Sequence, residues 1–366
     1  MTLSHPANLR AKDERGLFMP GTRREVLQAV AAASAYLAWP RPAAAQASAT
    51  ADWLDPAHLA AAKAEGAALV VYSSINEQEG LPAWKYFEDA TGIKVNYVRG
   101  SDVNLISKVM IEARTQQKSW DIMISTGAGR LPQDLLTPFE PTEAAAFPDE
   151  AKDKARRWYG LHATYNAPSF NSALVRPEQM PKTYEEIAAR KEWAGRIAID
   201  ATDTQWLGGM IKHYGEAGAR KLLGEIVTNL KPVLTEGHLN LARQVGAGEF
   251  MVTLNNYVSL TTNVKQAGGP SEFWLLDPVV LFFEQLGISV RAPHPKTALF
   301  AANFLMSRDG QQQTTRGGRT PVRRDVVPIP ADLFAQVDRR KVIPVTPTGE
   351  EDRQMKKIFD EIFRGR

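Results

Sequence analysis

Apolar runs alternate along the chain with segments in which apolar residues recur at helical spacing. Residues 68–72 form a continuous run rich in β-branched side chains, which is typical of a strand buried on both faces of a parallel sheet. Leu81, Trp84 and Phe87 then recur at helical spacing, and Gly92 supplies a glycine stop. The pattern predicts a strand followed by a helix.

The same alternation continues along the chain. Residues 93–98 alternate between apolar and polar positions, as a half-buried strand does, and residues 120–124 form a third, mainly apolar strand. Between them Ser101 is a suitable helix N-cap, and Val103 and Ile106 begin the apolar face of a helix. The order is βαβαβ, and each helical crossover implies parallel strand pairing.

A second block repeats this organisation. It contains predicted strands at residues 196–200 and 249–254, an apolar segment at residues 279–290, and a helix at residues 297–306. Together the two blocks predict an α/β protein with two lobes that are joined by extended crossing segments.

Small polar and phenolic residues follow the predicted strands. Ligands of open α/β sheets bind beyond the carboxyl ends of the strands, so these residues are candidate ligand contacts. They are Ser73, Ser74, Asn76, Thr126, Thr202, Asp203, Asn256 and Tyr257. Trp206, one helical turn after Asp203, is a further candidate because an indole can stack on an organic ligand.

Several candidates also have a structural interpretation. Asp203 suits the N-cap of the following helix as well as it suits a cationic ligand group. Ser73 and Ser74 are equally suited to capping a helix, and Trp206 to core packing. Tyr257 can be a core tyrosine whose hydroxyl lies at the sheet edge. The sequence leaves these alternatives open.

The N-terminal segment has the pattern of an export signal. Arg23 and Arg24 precede a mainly apolar run at residues 26–39, and small residues end the segment at 45–47. A twin arginine before an apolar run is typical of the bacterial Tat pathway, which exports folded proteins. We expect residues 1–47 to be a Tat-type signal peptide, the mature chain to begin near Ser48, and the protein to reach the periplasm.

Composition excludes several classes of function. The predicted leader holds six basic and three acidic residues out of 44 and 41, so 38 of each remain in the mature chain. Without a net positive charge or a basic stripe, nucleic-acid binding is not expected. The chain has no cysteine, which excludes thiolate metal sites and thiol chemistry. No apolar run after the leader reaches the roughly 18–20 residues of a membrane span.

No catalytic or metal-binding motif is recognisable. His162, His213, His238 and His294 are scattered without the spacing of metal ligands, and we expect them at the surface or in the core. Arg130 lies soon after the third strand and suits contact with a carboxylate, but we expect it in a solvated loop. There is no Gly-x-Ser-x-Gly nucleophile elbow. We therefore expect no catalytic residue, no metal centre and no cofactor.

Several short segments, taken in order, carry a family resemblance. They are residues 70–74, 87–95, 120–122, 158–161, 193–198, 247–249, 292–295, 307–311 and 318–323. Their succession resembles the periplasmic solute-binding proteins of ABC importers, and most of all the ferric-iron-binding branch. The resemblance implies the type II periplasmic binding protein fold, in which two hinge-linked lobes close on a ligand in the cleft between them.

The resemblance also predicts the organisation and partners of the chain. We expect residues 48–160 plus 266–310 in the first lobe and residues 161–265 plus 311–366 in the second. The partners would be a small-molecule ligand and an ABC permease in the inner membrane. We expect a monomer.

The resemblance does not extend to the metal ligands. Iron-binding members place a histidine after the first strand, where this chain has residues 73–77 without one, and a glutamate after the third strand, where it has Thr126 and Gly127. They also present two adjacent tyrosines after a late strand, but here Tyr257 is followed by Val258. One phenolate cannot satisfy a hard ferric ion, so most of the iron site is missing.

We therefore expect the cleft to bind a small polar organic solute. An amine is attractive because Asp203 and Tyr257 can both face its cation. Ferric iron or a ferric chelate is the first alternative. An exported hydrolase or transferase that uses Asp203 or Glu77 as a base is the second.

Overall fold

A computed structural model describes residues 52–365, in which strands and helices alternate along most of the chain. The strands are β1 (Ala68–Ser73), β2 (Lys94–Arg99), β3 (Ile122–Ser125), β4 (Leu136–Thr137), β5 (Trp158–Asn171), β6 (Ile197–Asp200), β7 (Val233–Thr235), β8 (Val252–Tyr257), β9 (Ser271–Phe273), β10 (Val279–Ser289) and β11 (Val342–Pro344). The helices are α1 (Pro56–Lys63), α2 (Glu77–Thr91), α3 (Asp102–Arg114), α4 (Tyr184–Ala188), α5 (Thr204–Leu230), α6 (His238–Ala247), α7 (Val258–Gln266), α8 (Pro295–Met306), α9 (Arg308–Arg316), α10 (Leu333–Val337) and α11 (Gly349–Phe363).

The strands of this part of the chain form one continuous sheet. Its main order is β2-β1-β3-β10-β5-β8-β6-β7, with β4 and β11 beside β10 and β9 beside β5. Strand β1 pairs in parallel with β2 and β3, and β6 pairs in parallel with β7 and β8. The long strands β5 and β10 pair antiparallel in the middle and are buried along their whole length. They therefore connect the two parallel groups.

Most predicted elements are confirmed, with small shifts in their bounds. The βαβαβ order and parallel pairing of β1, β2 and β3 agree with the sequence pattern. The predicted strand at 249–254 is instead β8 at Val252–Tyr257, because Gly248 ends α6 in the left-handed conformation and Glu249 still bonds back to that helix. Asn256 and Tyr257 thus belong to the strand itself.

Two large hydrophobic cores lie along this sheet. The first contains Phe87, Phe300 and Phe304, and the second contains Trp206 and Phe359. Aromatic and branched residues of this size contribute roughly 1.5–3 kcal/mol each when fully buried. Each core therefore stabilises one end of the sheet.

The last part of the chain divides between the two cores. Val322 and Leu333 pack in the first core, whereas Val345 and Ile358 pack in the second. The chain was predicted to return to the second lobe at residue 311. This packing favours a later point of return. The lobe bounds stay a prediction.

The predicted signal peptide at residues 1–47 lies outside the described residues. Within residues 52–365 no helix combines the length and the apolar character that a membrane crossing requires.

Candidate functional site

A cavity of about 440 Å³ opens where several strands end and helices begin. Its wall includes the first residues of α3, α5 and α6, the last residue of β8, and one side of α11. The lining residues are Ser101, Asp102, Val103, Arg130, Ala201, Thr202, Asp203, Thr204, Gln205, Glu236, His238, Tyr257, Asp352, Lys356 and Arg364. Of the predicted site residues, the structure brings Thr202, Asp203 and Tyr257 to this wall.

Asp203 has the capping role that the sequence left open, and it also faces the cavity. One carboxylate oxygen accepts from the backbone N–H of Trp206 at 2.9 Å, which caps α5. The other oxygen accepts from the side-chain amide of Asn166, and that of Asn255 lies at 3.4 Å. Burial raises the pKa of Asp203, and the nearby His238 opposes that rise. The carboxylate is thus held in place before any ligand arrives.

Tyr257 lies at the end of β8 and forms the floor of the cavity. Its ring stacks on the imidazole of His238 with centroids 3.8 Å apart, and meets Phe282 edge-on at 5.4 Å. Burial, followed by the charges of Asp203 and Asp200, raises the pKa of Tyr257 well above its usual value. The phenol is therefore kept neutral, as a hydrogen-bond donor and acceptor.

His238 is a cavity residue that the sequence interpretation missed. His238 is buried, as expected of a core residue, but its ring also lines the cavity beside Tyr257. Its Nε2 lies 3.5 Å from the Asp203 carboxylate and 3.9 Å from that of Asp200. Its Nδ1 is buried without a hydrogen-bond partner in the described part of the chain. Neither spacing nor local motif marks this residue, because its partners come from separate strand ends.

Thr202 lies at the exposed rim, where its hydroxyl donates to Asp200 at 2.5 Å. Trp206, by contrast, is fully buried in the second core and does not line the cavity. Its position one turn into α5 faces the sheet rather than the strand ends. The sequence left two roles open for Trp206, and the structure gives it the role in core packing.

Thr126 reaches the site through a partner that the sequence analysis did not single out. Its hydroxyl donates to the carboxylate of Asp102 at 2.6 Å, and Ser125 also donates to this carboxylate. Asp102 is in the first turn of α3 and lines the cavity. A carboxylate there is favoured by the positive end of the helix. Thr126 therefore positions Asp102 rather than lining the cavity itself.

The remaining predicted residues lie away from this wall. Ser73 is buried, and its hydroxyl accepts from the backbone N–H of Ile75 at 3.2 Å. Ser74 continues the β1–β3 pairing through its backbone N–H. Asn256 is buried, and its side-chain oxygen accepts from the N–H of Tyr257.

Asn76 belongs to a buried charge cluster instead. Its amide donates to Glu79 at 3.2 Å, and Glu79 pairs with Arg319 at 2.9 Å. Arg319 also pairs with Glu284 at 3.3 Å, and Glu284 contacts the imidazole of His162 at 3.2 Å. This cluster links α2 to the central strands β5 and β10. Of its members only Asn76 was a candidate, because the others meet only in the folded chain.

Two carboxylates of this cluster, Glu79 and Glu284, share the guanidinium of Arg319. Burial alone would raise the pKa of Glu284, but the neighbouring Arg319 and His162 outweigh it and hold that pKa below its usual range. Burial also lowers the pKa of His162. A buried charge without its partner is costly, so the cluster ties the central strands to α2 as a unit.

An ion pair joins opposite sides of the cavity. Arg130, which follows β3, pairs with Asp352 of α11 at 2.8 Å, and Thr204 at the start of α5 donates to the same carboxylate at 2.5 Å. The expectation that Arg130 lies in a solvated loop is therefore wrong, since its side chain is only 12% exposed. The two residues are too far apart in sequence for a local pattern to reveal the pair.

The donor set of the site does not resemble a metal centre. Within residues 52–365 no group of three or more histidine, cysteine, aspartate or glutamate side chains is arranged to hold a metal ion. Tyr257 is the one tyrosine of the cavity wall that these residues provide.

A larger hollow of about 590 Å³ lies elsewhere, between β9 and α10. Residues 273–276 form its apolar floor, and Lys182, Arg339 and Arg340 line it. No predicted site residue reaches it. The cavity at the strand ends remains the candidate site, because ligands of open α/β sheets bind there.

One family model matches most of this chain. The model of the family described as bacterial extracellular solute-binding protein matches residues 83–337. The chain belongs to this family. It is therefore a solute-binding protein of the kind that serves ABC transporters, and the family resemblance read from the sequence is confirmed.

Similar proteins include both iron and sugar-phosphate binders. Iron uptake protein A1 of Synechocystis sp. is 22% identical over 264 residues, which cover 66% of this chain and 71% of that protein. Iron-bound HitA from Pseudomonas aeruginosa is 20% identical, with a TM-score of 0.69 over 81% of this chain and 99% of HitA. The periplasmic binding protein AfuA from Actinobacillus pleuropneumoniae, with exogenous fructose-6-phosphate bound, is 18% identical, with a TM-score of 0.68 over 81% and 98%. These likenesses confirm the type II periplasmic binding protein fold of this solute-binding protein.

Proposed function

We propose that this solute-binding protein captures a small polar organic solute in the 440 Å³ cavity and delivers it, in the periplasm, to an ABC permease of the inner membrane. The observation that carries the proposal is the composition of the wall. It combines a neutral phenol, hydroxyls and fixed charges, which suit a polar solute, and its volume falls within the roughly 300–1,000 Å³ of ligand pockets.

The arrangement supports recognition without chemical change. Asp203 and Asp102 are already held by hydrogen bonds from their own surroundings, so both carboxylates are oriented before a ligand binds. The ordered side chains lower the cost of binding, because little rotamer freedom remains to be lost. We propose a receptor and not an enzyme.

Ferric iron or a ferric chelate is the competing ligand. HitA, whose fold is similar to that of this chain, was solved with iron bound. Against it, the described residues of the wall offer one phenol, that of Tyr257. The carboxylate of Asp203 already accepts hydrogen bonds from the backbone N–H of Trp206 and from the side-chain amide of Asn166. A ferric ion requires several anionic oxygen ligands, and this set is poorly suited to supply them.

A thermal-shift screen of the mature chain, run with and without a strong metal chelator, tests the proposal. A solute at 100 times its dissociation constant adds about 2.7 kcal/mol of stability. For about 315 residues this raises Tm by about 4 °C. We expect an organic solute to give this shift in the presence of chelator. A shift that only ferric salts or ferric chelates produce, and that the chelator abolishes, would contradict it.

A further inference from the structure

The cavity wall carries charges of both signs, and they come from different parts of the fold. Asp102 and Asp203 stand at the starts of α3 and α5, near the end of β8. Lys356 and Arg364 belong to α11 and the residues just after it. Asp352 of α11 and Glu236 also line the wall; Asp352 is paired with Arg130, and Arg364 with Asp360.

The negative part of the wall surrounds Tyr257. The charges that act on its phenol are those of Asp203, Asp200 and Asp102, followed by Glu284. The starts of α3 and α5 offset these charges only in part, because a helix end carries about half an elementary charge. A cationic ligand group placed beside Tyr257 would be stabilised by this field.

The positive part of the wall has donors without partners. The Nε of Arg130 is buried and has no acceptor among residues 52–365, although its Nη1 binds Asp352. This Nε is enclosed in the wall, so a ligand in the cavity would meet the rest of the Arg130 side chain, which Asp352 holds in place. Lys356 lines the same cavity one helical turn after Asp352, and it has no ion-pair partner within the described chain.

Helix α11 is held firmly enough to present these groups. Ile358 and Phe359 of this helix are buried in the second core, and Asp352 is bound by both Arg130 and Thr204. Its start is fixed by a capping box between Thr348 and Glu351. The helix is therefore a rigid wall of the cavity and not a loosely attached tail.

Building on the proposed function, we infer that the solute is a small zwitterion. Its cationic group lies beside Tyr257 and Asp203, and its anionic group is bound by Arg130 and Lys356. Asp352 is a positioning residue that holds Arg130 toward the cavity. The solute class is an amine linked to a carboxylate, sulfonate or phosphonate by a short chain.

Matched probes test this inference. The zwitterions are β-alanine, γ-aminobutyrate, taurine and 2-aminoethylphosphonate, and the single-charge controls are propylamine, propionate and ethanesulfonate. Titration calorimetry on the chelator-treated mature chain is expected to show at least one zwitterion binding ten-fold or more tighter than its single-charge counterparts.

A pair of neighbouring variants then locates the anionic group. Lys356→Gln is expected to weaken the zwitterion about five-fold, since an exposed charge contributes modestly, and to leave propylamine binding unchanged. Lys357→Gln is the control, because its side chain is 79% exposed and points to Glu361 on the outer face. It is expected to match the wild type.

The outcomes separate the inference from the proposed function. If a neutral or singly charged organic solute binds as tightly as any zwitterion, or if both lysine variants match the wild type, the inference fails while the organic receptor stands. If no organic probe binds and ferric chelates do, the proposed function fails with it.

Discussion

Helix α5 meets strand β10 at Gly209, and this contact sets the position of the helix start that carries Asp203. A methyl group at Gly209 would lie 2.3 Å from Cγ2 and 2.7 Å from Cγ1 of Val280. Both residues are buried, so the clash cannot be relieved by moving a side chain into solvent. Overpacking of this kind costs about 1–3 kcal/mol, and we expect Gly209→Ala to lower the free energy of unfolding by about 2 kcal/mol.

Gly224, in the part of α5 that follows the non-helical Gly215, provides a control. A methyl group there meets no atom within 4 Å. Gly224→Ala is therefore expected to raise the free energy of unfolding by up to about 1 kcal/mol through helix propensity.

Thermal denaturation distinguishes the two variants. For about 315 residues a change of 2 kcal/mol shifts Tm by about 3 °C, downward for Gly209→Ala. Solute affinity is expected to fall only in this variant, because the displaced helix carries the Asp203 cap away from the cavity. Equal Tm values for the two variants, or a more stable Gly209→Ala, would refute the proposed packing and its link to the site.

Three further changes test other parts of the account. Tyr257→Phe is expected to weaken solute binding by about 1 kcal/mol or more in calorimetry, whereas Tyr86→Phe, whose hydroxyl contacts an aspartate outside the cavity, leaves it unchanged. The lowered pKa of His162 means that this residue contributes stability above its ordinary pKa of about 6.5, and that the contribution is lost as pH falls toward the folded-state pKa. Wild type should therefore lose more Tm than His162→Gln between pH 7.5 and 5.5, and identical losses would contradict this. Arg319→Met should lower unfolding stability by about 3–5 kcal/mol in chemical denaturation, because Glu284 loses its buried partner; a change below 1 kcal/mol would show that the cluster is not coupled.

Local patterns predicted much of the fold. Strands β1, β2 and β3 and the helices between them were found because their apolar periodicity, N-caps and glycine stops all lie within a few residues. The length of β5 was not predicted, although all fourteen of its residues are buried. It contains His162 and Asn166 among apolar residues, and the contacts that these side chains make, to Glu284 and Asp203, come from elsewhere in the fold.

The candidate site was predicted less completely, for a related reason. Asp203 and Tyr257 could be found because they end adjacent strands of an α/β sheet, a position that topology alone indicates. Arg130, His238 and Asp352 could not, since each reaches the cavity through a partner distant in sequence. For Trp206 the sequence left core packing and ligand stacking open, because its helical position was predicted but the face that it turns toward the core was not.

The most direct test is to identify the species that is bound to the purified protein. Native mass spectrometry of the chain purified from the periplasm, together with metal analysis, measures the mass and the metal content of the bound species. We expect one organic molecule per chain, with metal far below one atom per chain, and a smaller loaded fraction in Tyr257→Phe. Stoichiometric iron in the loaded protein, retained in that variant, would contradict the account.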